Sequence, residues 1–187
     1  MECPISKHHP LRKLFGALTE RRFAGTLGWP NQTVTGYVTN LLVDFTHLDR
    51  LYKIRNQRGK QLDTVVDLLY ESEVLLEART LKREQEVHRH IGDFTLFMAG
   101  LFPEYLTRLK SASMIYHKDF LVDYVKTGKR SYGIVARCGE TSDGRAPLFR
   151  QLSENFELCV AGLGFVRGDL DRMQDSSYRK AKNILLS

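Results

Sequence analysis

Hydrophobic residues recur at three- and four-residue steps over most of the chain, the period imposed by one face of an α-helix. Pro10 opens the first such segment, where Leu11, Leu14, Phe15 and Leu18 form a stripe ending near Gly25–Gly28. Trp29-Pro30-Asn31 reads as a turn with Asn31 as N-cap. Val34, Tyr37, Val38, Leu41, Leu42, Phe45 and Leu48 then repeat as an amphipathic helix. Asp63 or Thr64 caps another, with Val65, Val66, Leu69, Glu73 and Leu76 along its inner side.

A helix over 80–101 carries Val87, Ile91, Phe94, Met98 and Leu101. Pro103 ends it and starts a short helix over Glu104–Lys110. Beyond Ser111–Ser113 a long pattern runs through Phe120, Leu121, Tyr124, Val125, Tyr132 and Val135 to Cys138-Gly139. GETSDGRAP is a loop. From Pro147 the helical period resumes through Leu148, Leu152, Phe156, Cys159, Leu163, Val166, Leu170 and Met173.

Only residues 51–62 depart from this rhythm. Tyr52 and Ile54 alternate with bases, and Asn56-Gln57-Arg58-Gly59 is a turn signal. The segment fits a small β-hairpin, or a helix end followed by a loop, nearly equally well. The expected fold is therefore all-α, a bundle of six or seven helices with room for that one hairpin. Residues 1–9 read as a disordered lead-in, 10–173 as a single helical domain and 174–187 as a mobile tail that docks through Ile184, Leu185 and Leu186.

The composition fits a folded domain. The 187 residues are 42% hydrophobic and 27% charged, with a formal net charge of +6. No run of apolar residues is long enough for a membrane span, and no secretory signal precedes Pro10. Cys3, Cys138 and Cys159 are odd in number and widely spaced, which argues against a disulfide framework and a cysteine zinc site. These features together point to a cytoplasmic protein. Cys159 falls on an apolar stripe, whereas Cys138 beside Arg137 is placed for a lowered thiol pKa.

Charge adds one candidate interface. Arg50, Lys53, Arg55, Arg58 and Lys60 fall in eleven residues without an acid, and Arg179, Lys180 and Lys182 form a weaker group. Such clusters bind phosphates in a salt-dependent way. A solvated turn explains the same bases, and no nucleic-acid-binding signature accompanies them, so nucleic acid ranks last among partners.

The densest chemistry lies in EQEVHRHIGD. At about 100° per residue, Glu86, His90 and Asp93 fall within about 60° of one another on a helix, with His90 inside the apolar arc. His88 points to the other side, toward solvent. An imidazole beside two carboxylates is a candidate ligand set for a metal ion, or a general base, with His117 and His47 as further imidazoles. A core histidine hydrogen-bonded to Asp93 or Glu86 is the plainer alternative. The Glu-x-x-His pairs of di-iron bundles and the HExxH signature are both missing.

Two further groups are weaker. His90, Tyr124 and Tyr132, with Gly128 and Gly133, suit a ligand cavity between helices, although tyrosines at this spacing also serve as core edges. Gly162-Leu-Gly164-Phe-Val-Arg-Gly168 lacks both the spacing and the strand-to-helix context of a dinucleotide loop. Ala161, Gly164 and Gly168 instead make a smooth stripe for close helix approach or for ligand space.

HIGDFTLFMAGLFPE at His90–Glu104, with LFGALTERRF at Leu14–Phe23 and GYVTNLLVDF at Gly36–Phe45, resembles an uncharacterised family of bacterial helical proteins. The resemblance implies a bacterial, cytoplasmic source and brings no activity, cofactor or partner. Three functional expectations follow. The first is a non-enzymatic interaction or regulatory protein, acting through a protein partner or self-association. The second is a metal- or small-ligand-binding bundle, redox-active in one version, built on Glu86, His90 and Asp93. The third is nucleic-acid binding through Arg50–Lys60.

Overall fold

The computed structural model describes residues 9–56, 58–77, 81–111, 114–139, 144–174 and 176–186. The fold is all-α. Helix α1 (Pro10–Glu20) continues into a π-helical turn over Arg21–Thr26, and α2 (Gln32–Asp44) and the short α3 (Leu48–Leu51) follow. Next come α4 (Val65–Glu77), α5 (Leu81–Leu101), α6 (Pro103–Leu109) and a 3₁₀ turn at Lys118–Leu121. The chain then builds α7 (Tyr124–Gly139), α8 (Ala146–Glu154), α9 (Phe156–Arg172) and α10 (Ser176–Leu186).

Local chemistry sets most of these boundaries. His9 Nδ1 accepts from the Leu11 N–H at 3.2 Å, so a residue expected in the lead-in caps α1; residues 1–8 lie outside those described. Asn31 Oδ1 caps α2 through Val34 N–H at 3.1 Å. The expected hairpin reduces to a turn with one isolated antiparallel bridge, Arg55 to Gln61, and no strand forms among the described residues. Ile54 and Leu62 flank it, joined by a backbone bond of 2.9 Å and buried beneath it.

Three elements differ from the sequence pattern. The segment 120–139 is not one helix: Asp123 Oδ1 caps α7 by accepting from Lys126 N–H at 3.1 Å, leaving Phe120 in the separate 3₁₀ turn. The run from 147 to 173 breaks at Asn155, whose side-chain amide donates to the Gln151 carbonyl at 3.0 Å. Much of the expected mobile tail is helix α10. Its Tyr178 is buried and stacks on Phe102 with ring centroids 5.7 Å apart, which supplies the docking contact. The side chains of Ile184, Leu185 and Leu186 lie outside those described.

Helix α5 is the axis of the bundle, packed against α4, α7, α9 and the end of α2. From His90 to Phe102 every residue is buried, and a helix covered on all sides belongs at the centre of a domain. Glycine permits the closest crossing. A Cβ at Gly92 would stand 2.6 Å from the Tyr132 ring, and one at Gly128 would meet Thr95 and Phe156. The face expected to leave ligand space at Gly128 is therefore filled. On α9 the close approach falls on Gly162, against Phe23, while a Cβ at Gly164 or Gly168 would meet nothing within 4 Å from outside its own helix among the described residues. The anticipated glycine stripe is thus displaced by one helical face.

Asp119 joins the 3₁₀ turn to two helices. Its carboxylate accepts from Val65 N–H at 2.9 Å and Val66 N–H at 3.0 Å, capping α4 from 53 or more residues away, and from the Tyr124 hydroxyl at 2.9 Å. Asp119→Ala is expected to cost about 2 kcal/mol in urea unfolding, at the upper end for a lost cap. Asp119→Asn, which keeps one acceptor oxygen, should recover part of it. Equal midpoints for both variants and the native protein would show that the remote cap contributes nothing.

Candidate functional site

The side of α5 bearing His90 is packed rather than open. His90 is 1% exposed and lies edge-on to Phe45 and beside Phe94, with ring centroids 6.1 and 6.4 Å away. Neither ring nitrogen has a partner in hydrogen-bonding geometry among the described residues, and the Leu51 backbone is near enough to favour the protonated ring slightly. Burial, then the Lys53 charge, push the imidazole pKa down to about 3, so the ring is neutral.

Asp93 belongs to a different cluster. Its Oδ1 accepts from the Tyr37 hydroxyl at 2.6 Å and the Tyr132 hydroxyl at 2.8 Å, tying α2 and α7 to the central helix. Burial raises its pKa, opposed by the Arg89 charge and by the two phenols. Glu86 is partly exposed, and its Oε2 accepts from Arg83 at 2.7 Å. The helix places the three side chains on one sector, but each has its own neighbours. Among the described residues no three His, Cys, Asp or Glu side chains are grouped to hold a metal ion. Tyr124 is engaged by Asp119, and the Phe94 ring stands between it and His90.

The basic segment is also divided. Arg50 pairs with Asp44, and Lys53 is half-buried with its pKa lowered by desolvation. Arg55 donates to the Gly59 carbonyl at 3.1 Å, while Arg58 and Lys60 stand exposed on the turn. Cys159 is fully buried, its thiol pushed up to about 12. The Cys138 thiol is raised rather than lowered, because burial and then the Glu84 charge outweigh Arg137.

The opposite side of α5 carries the site. His88, expected in solvent, is 7% exposed, because α7 packs over that side as well. It lines a cleft of about 480 Å³ between α4, α5 and α7. Helix α4 contributes Leu69, Ser72 and Glu73, and α5 contributes Glu84 and His88. Helix α7 contributes Thr127, Arg130, Ser131, Ile134, Arg137 and Cys138. Every set follows three- and four-residue steps, so three helix faces converge on one space. The volume is that of a small-molecule site.

The floor of the cleft is polar and buried. Glu84 is 6% exposed, and its Oε2 is buried without a hydrogen-bond partner among the described residues. His88 Nδ1 lies 3.3 Å from Ser131 Oγ, and Ser131 is 1% exposed. Burial, then Arg130 and Arg137, lower the His88 pKa to about 4, so this imidazole is neutral near pH 7. The rim is charged: Glu73, Arg130 and Arg137 are exposed. The residues missed from the sequence were Glu84, Arg130, Ser131 and Arg137. The signal was present, a polar stripe at helical spacing on α7, but such a stripe ordinarily faces water.

Compared with known protein families, curated proteins and solved structures, the chain matches none. Among the described residues no helix is long and apolar enough to cross a membrane.

Proposed function

We propose that this chain is a small-ligand-binding helical protein with a regulatory rather than catalytic role, its ligand held in the cleft between α4, α5 and α7. The observation that carries the reading is Glu84, a buried carboxyl group in the cleft floor with one oxygen lacking a donor among the described residues. An unsatisfied buried acceptor costs about 1–3 kcal/mol, more when charged, and a bound molecule supplying the missing N–H or O–H would recover it. A binding role is favoured by the state of the His88–Ser131 pair. The hydroxyl a base would activate is itself closed off at 1% exposure, so the pair supports the floor instead of facing a substrate.

The cleft contains its own reporter, because Cys138 lines it while Cys159 is buried. In a Cys3→Ser background, alkylation of Cys138 by N-ethylmaleimide is expected to slow when a fitting solute is present. A solute at 100 times its Kd stabilises by about 2.7 kcal/mol, which at this chain length raises Tm by roughly 5–10 °C. The panel to screen comprises amino acids, monocarboxylates, dicarboxylates, amines and sugar phosphates. If none shifts Tm and none slows alkylation, the reading is wrong.

A further inference from the structure

The partners missing from the cleft have opposite signs. Glu84 in the floor lacks, among the described residues, a donor for a buried oxygen. Arg130 and Arg137 on the rim make no hydrogen bond or ion pair among the described residues. They are seven residues apart and hence on one face of α7, about 10.5 Å apart along its axis. A monoanion would satisfy the rim and leave the floor empty, and an amine alone would do the reverse.

The register of α5 on α7 fixes where these groups stand. Gly92 meets Tyr132 and Thr95 meets Gly128, so the helices run antiparallel. The His88 ring reaches along the cleft to Ser131, and Glu84 lines it together with Cys138, on which its charge acts. Glu84 therefore lies at the Arg137–Cys138 end of the cleft, and Arg130 lies toward the other end, beside Ser131. Glu84 and Arg130 are therefore separated along the cleft by about the 10.5 Å between Arg137 and Arg130, and a hydrogen bond of about 2.9 Å at each end leaves about 5 Å between the charged groups of a bridging ligand. Glu73, the other acid of the cleft, is exposed, so a cation there is screened by solvent as it is not at a buried carboxyl group.

We infer that the cleft takes an amino-acid-like zwitterion, its ammonium against Glu84 in the floor and its carboxylate at Arg130, with the two charges about 5 Å apart. This rests on the ligand-binding reading and narrows it to one chemistry. Of the unbranched ω-amino acids, those with four or five carbons fit that separation. The ammonium offers three donors to the orphaned oxygen, and Arg130 offers a fork to the carboxylate. The alkyl stem lies along Leu69 and Ile134, the apolar members of the lining.

The test is calorimetric titration of the full chain with glycine, 4-aminobutanoate, 5-aminopentanoate, butanoate and butylamine, read in parallel by Cys138 alkylation. The expected result is that 4-aminobutanoate or 5-aminopentanoate binds at least tenfold tighter than glycine, butanoate or butylamine. Glu84→Gln should remove the advantage over butanoate, and Arg130→Gln the advantage over butylamine. Circular dichroism and urea midpoints establish that both variants fold. Butanoate binding as tightly as 4-aminobutanoate would overturn the inference, as would a Glu84→Gln variant that keeps the amino-acid preference. If none of these five binds while another solute of the wider panel does, the zwitterion inference falls and the cleft reading stands. If nothing in either panel binds, both fall.

Discussion

Acidification from pH 7 to pH 5 is expected to remove about 4 kcal/mol of folding stability, because His88 and His90 are both held neutral inside the bundle. Their folded-state pKa values, about 4 and about 3, lie below the ordinary 6.5. A depressed histidine pKa contributes stability that is complete above 6.5 and is lost as pH falls through that value, until the folded form also takes up its proton. Each ring accounts for about 2 kcal/mol of the change between pH 7 and 5. The charges acting on them have the same sense: Lys53, Arg89 and Arg83 on His90, Arg130 and Arg137 on His88. Asp93 works in the opposite direction, its raised pKa favouring the folded form as pH falls, and so trims the total.

His90→Leu separates the two rings. Among the described residues the nitrogens of His90 have no partner in hydrogen-bonding geometry to lose beyond the approach of the Leu51 backbone, and leucine suits the contact with Phe45 and Phe94. The variant should match the native protein at pH 8, exceed it by about 2 kcal/mol at pH 5, and show roughly half the slope of unfolding free energy against pH. Urea titrations at half-unit pH steps measure this directly. An unchanged slope would show that His90 is protonated without cost in the fold.

The second large effect is expected at Asp93. Replacing it with alanine leaves the Tyr132 hydroxyl buried with no acceptor, strips Tyr37 of its partner and opens a small void at the middle of the bundle. Two lost acceptor bonds plus the void place the cost at about 4 kcal/mol. Asp93→Asn keeps an oxygen in the same position and removes a carboxyl group that burial holds toward its neutral form. It should therefore equal or exceed the native protein at pH 7. As pH falls the native protein gains on the variant, because the contribution of a raised carboxyl pKa is complete below about 3.8 and fades as pH rises through the folded-state value. If alanine and asparagine give the same urea midpoint, hydrogen bonding to Asp93 is not what joins the two tyrosines to α5.

Much of the helical plan was legible residue by residue. Asn31, Pro103 and Pro147 mark real helix starts, and Leu41, Phe94, Leu163 and Val166 are buried as their spacing requires. Where the reading failed, a side chain competed with the backbone. Asn155 and Asp123 place breaks in runs whose apolar period continues across them, since periodicity reports which face is greasy and not whether the hydrogen-bond ladder is continuous. Helix α10 was missed because one anchor, Tyr178 on Phe102, settles a segment whose other described residues are mostly exposed and polar.

The sequence by itself determined the all-α class, the helix over 80–101 and the sector shared by Glu86, His90 and Asp93, because helical pitch converts residue spacing into angle without reference to the rest of the chain. The tertiary structure alone decided what each sector faces. One helix covered on both sides turns His88 from a solvent residue into a buried one. The packing of α4 and α7 makes a cleft from polar stripes that a single helix would present to water. Burial, partners and charge at Glu84, His88 and Arg130 are properties of three helices together, and no window of one strand of sequence contains them.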